Sequence, residues 1–86
     1  MLVLTREIGQ SVIIEDVRVT VIRFGSDFAE LSFAKITGGE AKIVTMSRNE
    51  SVDACYDVRI TFVQGTRAKL RLGFEAPREV HIHRED

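Results

Sequence analysis

The chain has 86 residues, with 12 Lys and Arg against 13 Asp and Glu and a formal net charge of −1. One domain of this size buries only about 60 to 65 per cent of its unfolded surface, so modest stability is expected, and dimerisation, real or built in, would raise it. Near-neutral charge excludes a global positive field, so nucleic-acid binding would need locally gathered arginines; no apolar run approaches the roughly 18 residues of a membrane helix.

The single cysteine, Cys55, excludes an intramolecular disulfide and fits a reducing compartment. The N-terminus lacks the basic-then-apolar pattern of a signal peptide, so a cytoplasmic location is expected. Cys55 reads as a buried inert thiol, since no His or Arg cluster adjoins it in sequence.

The first element is a strand that begins at the first residue, Met1-Leu2-Val3-Leu4-Thr5-Arg6, with Leu2, Leu4 and Arg6 on one face and Val3 and Thr5 on the other. Termini fray unless something pins them, so something must hold this one in place. Residues 17–34 predict a hairpin. Val17, Val19 and Val21 alternate with Arg18 and Thr20, Gly25-Ser26-Asp27 supplies turn chemistry, and Ala29-Glu30-Leu31-Ser32-Phe33 alternates again. Thr37-Gly38-Gly39-Glu40 is flexible but short, a connection rather than an interdomain linker. Ser47-Arg48-Asn49-Glu50 fits a helix capping box, so residues 48–56 form either a strand, the preferred reading, or a short helix with Val52 and Tyr56 on one face.

The second half then repeats the first. Asp16-Val17-Arg18-Val19-Thr20 returns as Asp57-Val58-Arg59-Ile60-Thr61, 41 residues later, and the same shift carries Leu31-Ser32-Phe33 onto Leu72-Gly73-Phe74. Further back the match slips: Ser11-Val12 returns as Ser51-Val52 at a shift of 40, and Thr5-Arg6 as Ser47-Arg48 at 42. Such slips place insertions in turns. Two amphipathic hairpins resemble each other through alternation alone, but the shared Asp-Val-Arg-x-Thr goes beyond it. The reading is a single domain, 1–86, made of copy one (about 1–40) and copy two (about 41–86).

No nucleophile is paired with a base and no glycine loop is built to cradle phosphate, so neither enzymatic activity nor a cofactor is expected. His81 and His83 share a strand face flanked by Glu79 and Glu85, yet no third metal ligand is positioned from elsewhere.

The start Met1-Leu2-Val3-Leu4-Thr5-Arg6 and the end Ala76-Pro77-Arg78-Glu79-Val80-His81-Ile82-His83-Arg84-Glu85 together resemble the carbon storage regulator (CsrA/RsmA) family of bacterial post-transcriptional repressors. The resemblance covers roughly residues 1–34 and 57–86. It implies an all-β fold in which the first and fifth strands of one subunit lie beside the middle three of the other. It also implies an RNA site, lined by a first strand and the opposite subunit's fifth, for GGA-containing segments of mRNA leaders or small regulatory RNAs. Carried over by position, that site would comprise Leu4, Thr5, Arg6, Ala76, Pro77, Ile82, His83 and Arg84. Guanidinium groups suit phosphate and guanine, and apolar side chains pack on bases. From the residues alone, the preferred reading of Arg6 and Arg84 is as solvated strand-end charges, and Leu4, Val80 and Ile82 also fit plain core.

Two departures matter. Glu7 stands where the family commonly has a basic residue, and the duplication makes one segment, Ala41–Arg48, stand for both the fifth strand of copy one and the first strand of copy two. Ser47-Arg48 matches Thr5-Arg6 or equally His83-Arg84. A tandem chain needs ten strands to imitate the dimer, and this one supplies about nine. The expectation is therefore an all-β single-chain pseudodimer, monomeric, with one surviving RNA site and one crippled site, acting on translation or mRNA stability. The alternatives are a homodimer carrying an insertion and a protein-interaction or antagonist module on the same scaffold.

Overall fold

The computed structural model describes all 86 residues, and nine strands account for its regular structure. They are β1 (Leu2–Arg6), β2 (Ser11–Ile14), β3 (Val17–Phe24), β4 (Phe28–Lys35), β5 (Lys42–Ser47), β6 (Ser51–Asp53), β7 (Arg59–Gly65), β8 (Leu70–Glu75) and β9 (Ile82–Glu85). Two antiparallel sheets result, ordered β1-β8-β7-β6 and β5-β4-β3-β2-β9. No helix is long and apolar enough to cross a membrane.

The halves interleave. The three consecutive strands β6-β7-β8 of the second half take β1 of the first half at their edge, while β2-β3-β4 of the first half are flanked by β5 and β9 of the second. The N-terminal strand is pinned by β8, 64 or more residues away, with Leu2 opposite Phe74 and Arg6 opposite Leu70. One apolar core joins the sheets. Val12, Ile14, Val19, Val21, Ala29 and Leu31 from the first half meet Met46, Val58, Ile60, Phe62, Leu70, Leu72 and Phe74 from the second. Fully burying a Leu, Ile or Phe side chain contributes about 1.5–3 kcal/mol, so neither half can give up the other's contribution.

Local geometry repeats at single-residue resolution. The β3–β4 hairpin carries a bulge between Val21 and Arg23, and the β7–β8 hairpin carries its counterpart between Phe62 and Gln64. Glu7–Gln10 and Ser47–Glu50 are the same turn: in each, the fourth residue's amide donates to the first residue's carbonyl while its side chain accepts from the first residue's amide. The third residue of each is left-handed, Gly9 at φ 88° and Asn49 at φ 69°.

The Ser-x-x-Glu pattern that suggested a helix over 48–56 therefore closes a turn. Ser51, Val52 and Asp53 then pair with Thr61, Ile60 and Arg59, so the preferred strand reading is correct there and the helix reading is not. The equivalence of Thr5-Arg6 with Ser47-Arg48 is also corrected. Leu4 lies opposite Leu72 and Val44 opposite Leu31, so β1 maps onto β5 at a shift of 40, and Thr5-Arg6 corresponds to Thr45-Met46. The residue that changes the shift from 40 to 41 sits in the β6–β7 turn. Ile14 and Val17 close a two-residue turn, whereas the Ala54 amide bonds the Val58 carbonyl across three residues. The inserted turn is tethered by Tyr56, whose hydroxyl donates to Asp16 Oδ1 in the matching turn. That bond, helped by Lys35, holds the Asp16 carboxyl below the usual carboxylate range and pushes the Tyr56 phenol up.

Candidate nucleic-acid interface

Strands β1 and β9 occupy edges of different sheets, and they lie side by side without pairing to each other. Their first residues share a groove and their last residues share an ion pair, so both run the same way along the seam. β1 is positioned by its full register with β8; β9 is positioned by pairing with β2, from Ile14 opposite Ile82 to Ser11 opposite Glu85. Two further ties clamp β9. The Arg18 guanidinium donates twice to the Glu85 carboxylate, at 2.7 and 2.8 Å, and Glu15 exchanges bonds with the backbone of His81. The Arg18 bond draws the Glu85 carboxyl below its ordinary range.

The seam has two ends of different chemistry. At the first, Met1, Leu2, Phe74, Glu75, Ala76, Pro77, Val80 and Ile82 line an open groove of about 460 Å³, apolar in most of its side chains. At the second, Thr5, Arg6, Glu7, Gly9, Gln10, Lys69, Arg84, Glu85 and Asp86 line a polar groove of about 500 Å³. An apolar groove at one end of the seam and a polar one with unpaired cations at the other suit a nucleotide chain, which offers flat bases and a phosphate backbone together.

The expected site residues distribute unevenly over this seam. Ala76, Pro77 and Ile82 meet in the apolar groove, and Thr5, Arg6 and Arg84 in the polar one. Leu4 is half-buried against the core between them. His83 is exposed opposite Ile13 and lines neither groove, because strand alternation turns it to the outer face of the sheet.

Arg6 departs most from expectation. It is only 4% exposed, its Nη1 donates to Asp86 Oδ1 at 2.8 Å and to the Ser11 carbonyl at 3.2 Å, and its Nε donates to the Thr5 carbonyl at 2.8 Å. The solvated-charge reading fails for this residue, and its guanidinium now bolts β1 to the end of β9. Arg84 is exposed and has no carboxylate within 4 Å. Lys69 was missed by sequence reasoning. It lies in the β7–β8 turn, carries no motif, and reaches the seam only because β1 pairs with β8. With Glu85 held by Arg18 and Asp86 by Arg6, Arg84 and Lys69 are the cations left free to meet an anion there.

The opposite seam, between β5 and β6, lacks a counterpart of β9. The residue at the Arg6 position there is Met46, and Asp53 and Ala54 take the places of the buried Ile13 and Ile14. No group of three His, Cys, Asp or Glu side chains is placed to hold a metal ion.

An all-β chain whose two halves exchange edge strands, with a first and a last strand meeting at a polar seam, defines an interlaced β-sheet protein of the kind the terminal motifs suggested. Residues 42–86 match the model of the CsrA global regulator protein family, just over half of the chain, and the chain belongs to that family. A relative from Rhodopirellula baltica named "Translational regulator CsrA" is 41% identical over 44 residues, which cover 51% of this chain and 63% of the relative. No solved structure matches the chain.

Proposed function

We propose that the chain is a single-chain pseudodimer that acts as a monomer and binds one GGA-containing RNA segment along the β1–β9 seam, regulating translation or mRNA stability after transcription. The observation that carries this reading is the meeting of a first-half edge strand and a second-half edge strand, not paired to each other, at one seam, with Arg84 and Lys69 free and an apolar groove alongside. The relative named as a translational regulator supports the regulatory role. In this reading bases stack into the groove of Leu2, Ala76, Pro77 and Ile82, while Arg84 and Lys69 take phosphate or guanine and backbone groups of the two strand edges read base edges. With Glu7, Glu85 and Asp86 around the polar groove, affinity rests on few cations and falls shallowly with salt.

The test is calorimetric titration with a hairpin RNA presenting GGA in its loop, beside the same hairpin with the loop scrambled. One GGA RNA bound per 9.7 kDa chain, and weaker binding of the scrambled loop, is the expected result. A second reading, a protein-interaction or antagonist module on the same scaffold, draws on the acidic rim and on the burial of Arg6. Absence of saturable RNA binding would favour it.

A further inference from the structure

The two sheets are built to one plan, yet only one is complete. β2 carries β9 on its outer edge, whereas β6, its counterpart, ends the other sheet with nothing beside it. The bonds from Phe62 to the Glu50 carbonyl and from Ala54 to the Val58 carbonyl show that Glu50 and Ala54 face β7. By antiparallel alternation, Ser51 and Asp53 turn their amides and carbonyls outward, as Ser11 and Ile13 do toward β9.

Alongside this edge runs a groove of about 240 Å³, lined by Val17, Phe33, Val44, Ala54 and Cys55 among others. It is the place that Val80 and Ile82 help to line at the other seam, where Phe74 and Leu2 correspond to Phe33 and Lys42. We propose that the β6 edge and this groove form a docking site for an extended peptide segment of a partner protein, which adds as a fifth strand in the manner of β9.

The molecule itself supplies the template for that partner. In β9, Ile82 faces the seam, the basic pair His83-Arg84 follows, and Glu85 takes Arg18. At the open edge the residue opposite the His83 position is Asp53, exposed and held only by Arg59 at 3.3 Å, and Arg59 is the counterpart of Arg18. A segment with apolar residues at alternate positions, then a basic residue beside Asp53 and an acid two residues later for Arg59, satisfies both charges. A second copy pairing β6 with β6 would instead bring Glu50, Asp53 and Asp57 of each chain together, and like charges along a three-residue edge oppose it. The site lies on the other seam from the proposed RNA interface and does not depend on it.

The probe is a synthetic peptide with the sequence of residues 76–86, titrated onto the intact protein, with Cys55 alkylation by iodoacetamide as a second readout. Saturable 1:1 binding, slowed Cys55 modification, and roughly tenfold weaker binding to Asp53→Pro are expected, the last because proline removes the one outward amide donor of Asp53 while leaving the β7 side intact. Equal binding to Asp53→Pro would mean that the peptide displaces β9 from β2 and would overturn the proposal. So would concentration-dependent self-association, or no protection of Cys55 in the unmodified chain. GGA hairpin binding, measured in parallel, is expected to be unchanged by Asp53→Pro, so failure of either reading is seen separately.

Discussion

Arg6 and Met46 stand at the same position of the two interleaved sheets: each is the last inward residue of a first-type strand, opposite Leu70 and Ala29 respectively, and they are 4% and 1% exposed. One site therefore holds a guanidinium with Asp86 to meet it, and the other a thioether packed into the apolar core.

The exchange of these residues is asymmetric. Arg6→Met is expected to change the unfolding free energy by less than about 1 kcal/mol, since the thioether fills the guanidinium's buried place and the Asp86 carboxylate left behind is 62% exposed and returns to water. Met46→Arg is expected to cost about 2–4 kcal/mol, because it would put a charge into a fully buried position of the apolar core. Urea unfolding of the two variants decides the matter, and equal losses would mean that the sites are not equivalent.

Much of this fold was legible in the residues, for a reason that also sets the limit. Period-two alternation and the Asp-Val-Arg-x-Thr repeat found both hairpins and their 41-residue shift, because sheet faces impose alternation locally. The shift of the outer strands was misread. Ser47-Arg48 looks like Thr5-Arg6, but register is fixed by burial, and Met46, not Arg48, is the residue the core accepts. Nor could local pattern decide whether Ala41–Arg48 serves as a first or a fifth strand; its pairing with β4, as β1 pairs with β8, gives it the first-strand place. Within the candidate site the terminal motifs located Arg84, Ala76 and Pro77, whereas Lys69 and the burial of Arg6 depend on contacts between distant strands.

Gly65 marks where the two hairpins touch. A β-carbon there would run into the Gly25 carbonyl, part of a backbone that cannot step aside, while one at Gly25 would meet chiefly the swinging ring of Phe28. Gly65→Ala is therefore expected to destabilise by about 1–3 kcal/mol and Gly25→Ala by less. Thermal unfolding of both variants tests the ordering; a reversal would place the close approach elsewhere.

The Arg18–Glu85 pair predicts how the seam responds to acid. Its bond lowers the folded carboxyl below its unfolded value, so the stability it adds is present above the ordinary carboxylate range and is lost as pH falls through the lowered value. Glu85→Gln should be less stable than the parent at neutral pH and should converge with it as acid protonates the Glu85 carboxylate and both carry a neutral side chain. Both partners are largely exposed, so the effect is small. A constant gap between the two unfolding curves across that range would show that Glu85 acts through packing instead.

The two halves also predict which arginine matters to RNA. Arg84 is exposed at the polar end of the seam, without a carboxylate partner, so Arg84→Ala should weaken GGA hairpin binding by about 1–3 kcal/mol and leave folding intact. Arg6→Ala confounds the two, since it also unbolts β1 from Asp86. Arg48 provides the control. It corresponds to Ile8 in the turn after β1, its amide bonds the Asp27 carbonyl, and the seam nearest it lacks the fifth strand that a second site would need. Glu50 and Asp53 on β6 and its preceding turn discourage phosphate further, and screening confines attraction from more distant cations to about 8 Å at physiological salt. Arg48→Ala is accordingly expected to bind RNA as the parent does, with one RNA per chain and a solution mass of 9.7 kDa by light scattering. Two RNAs bound per chain by native mass spectrometry, or a loss on changing Arg48 alone, would falsify the single-site arrangement and give the β5–β6 seam a nucleic-acid role of its own.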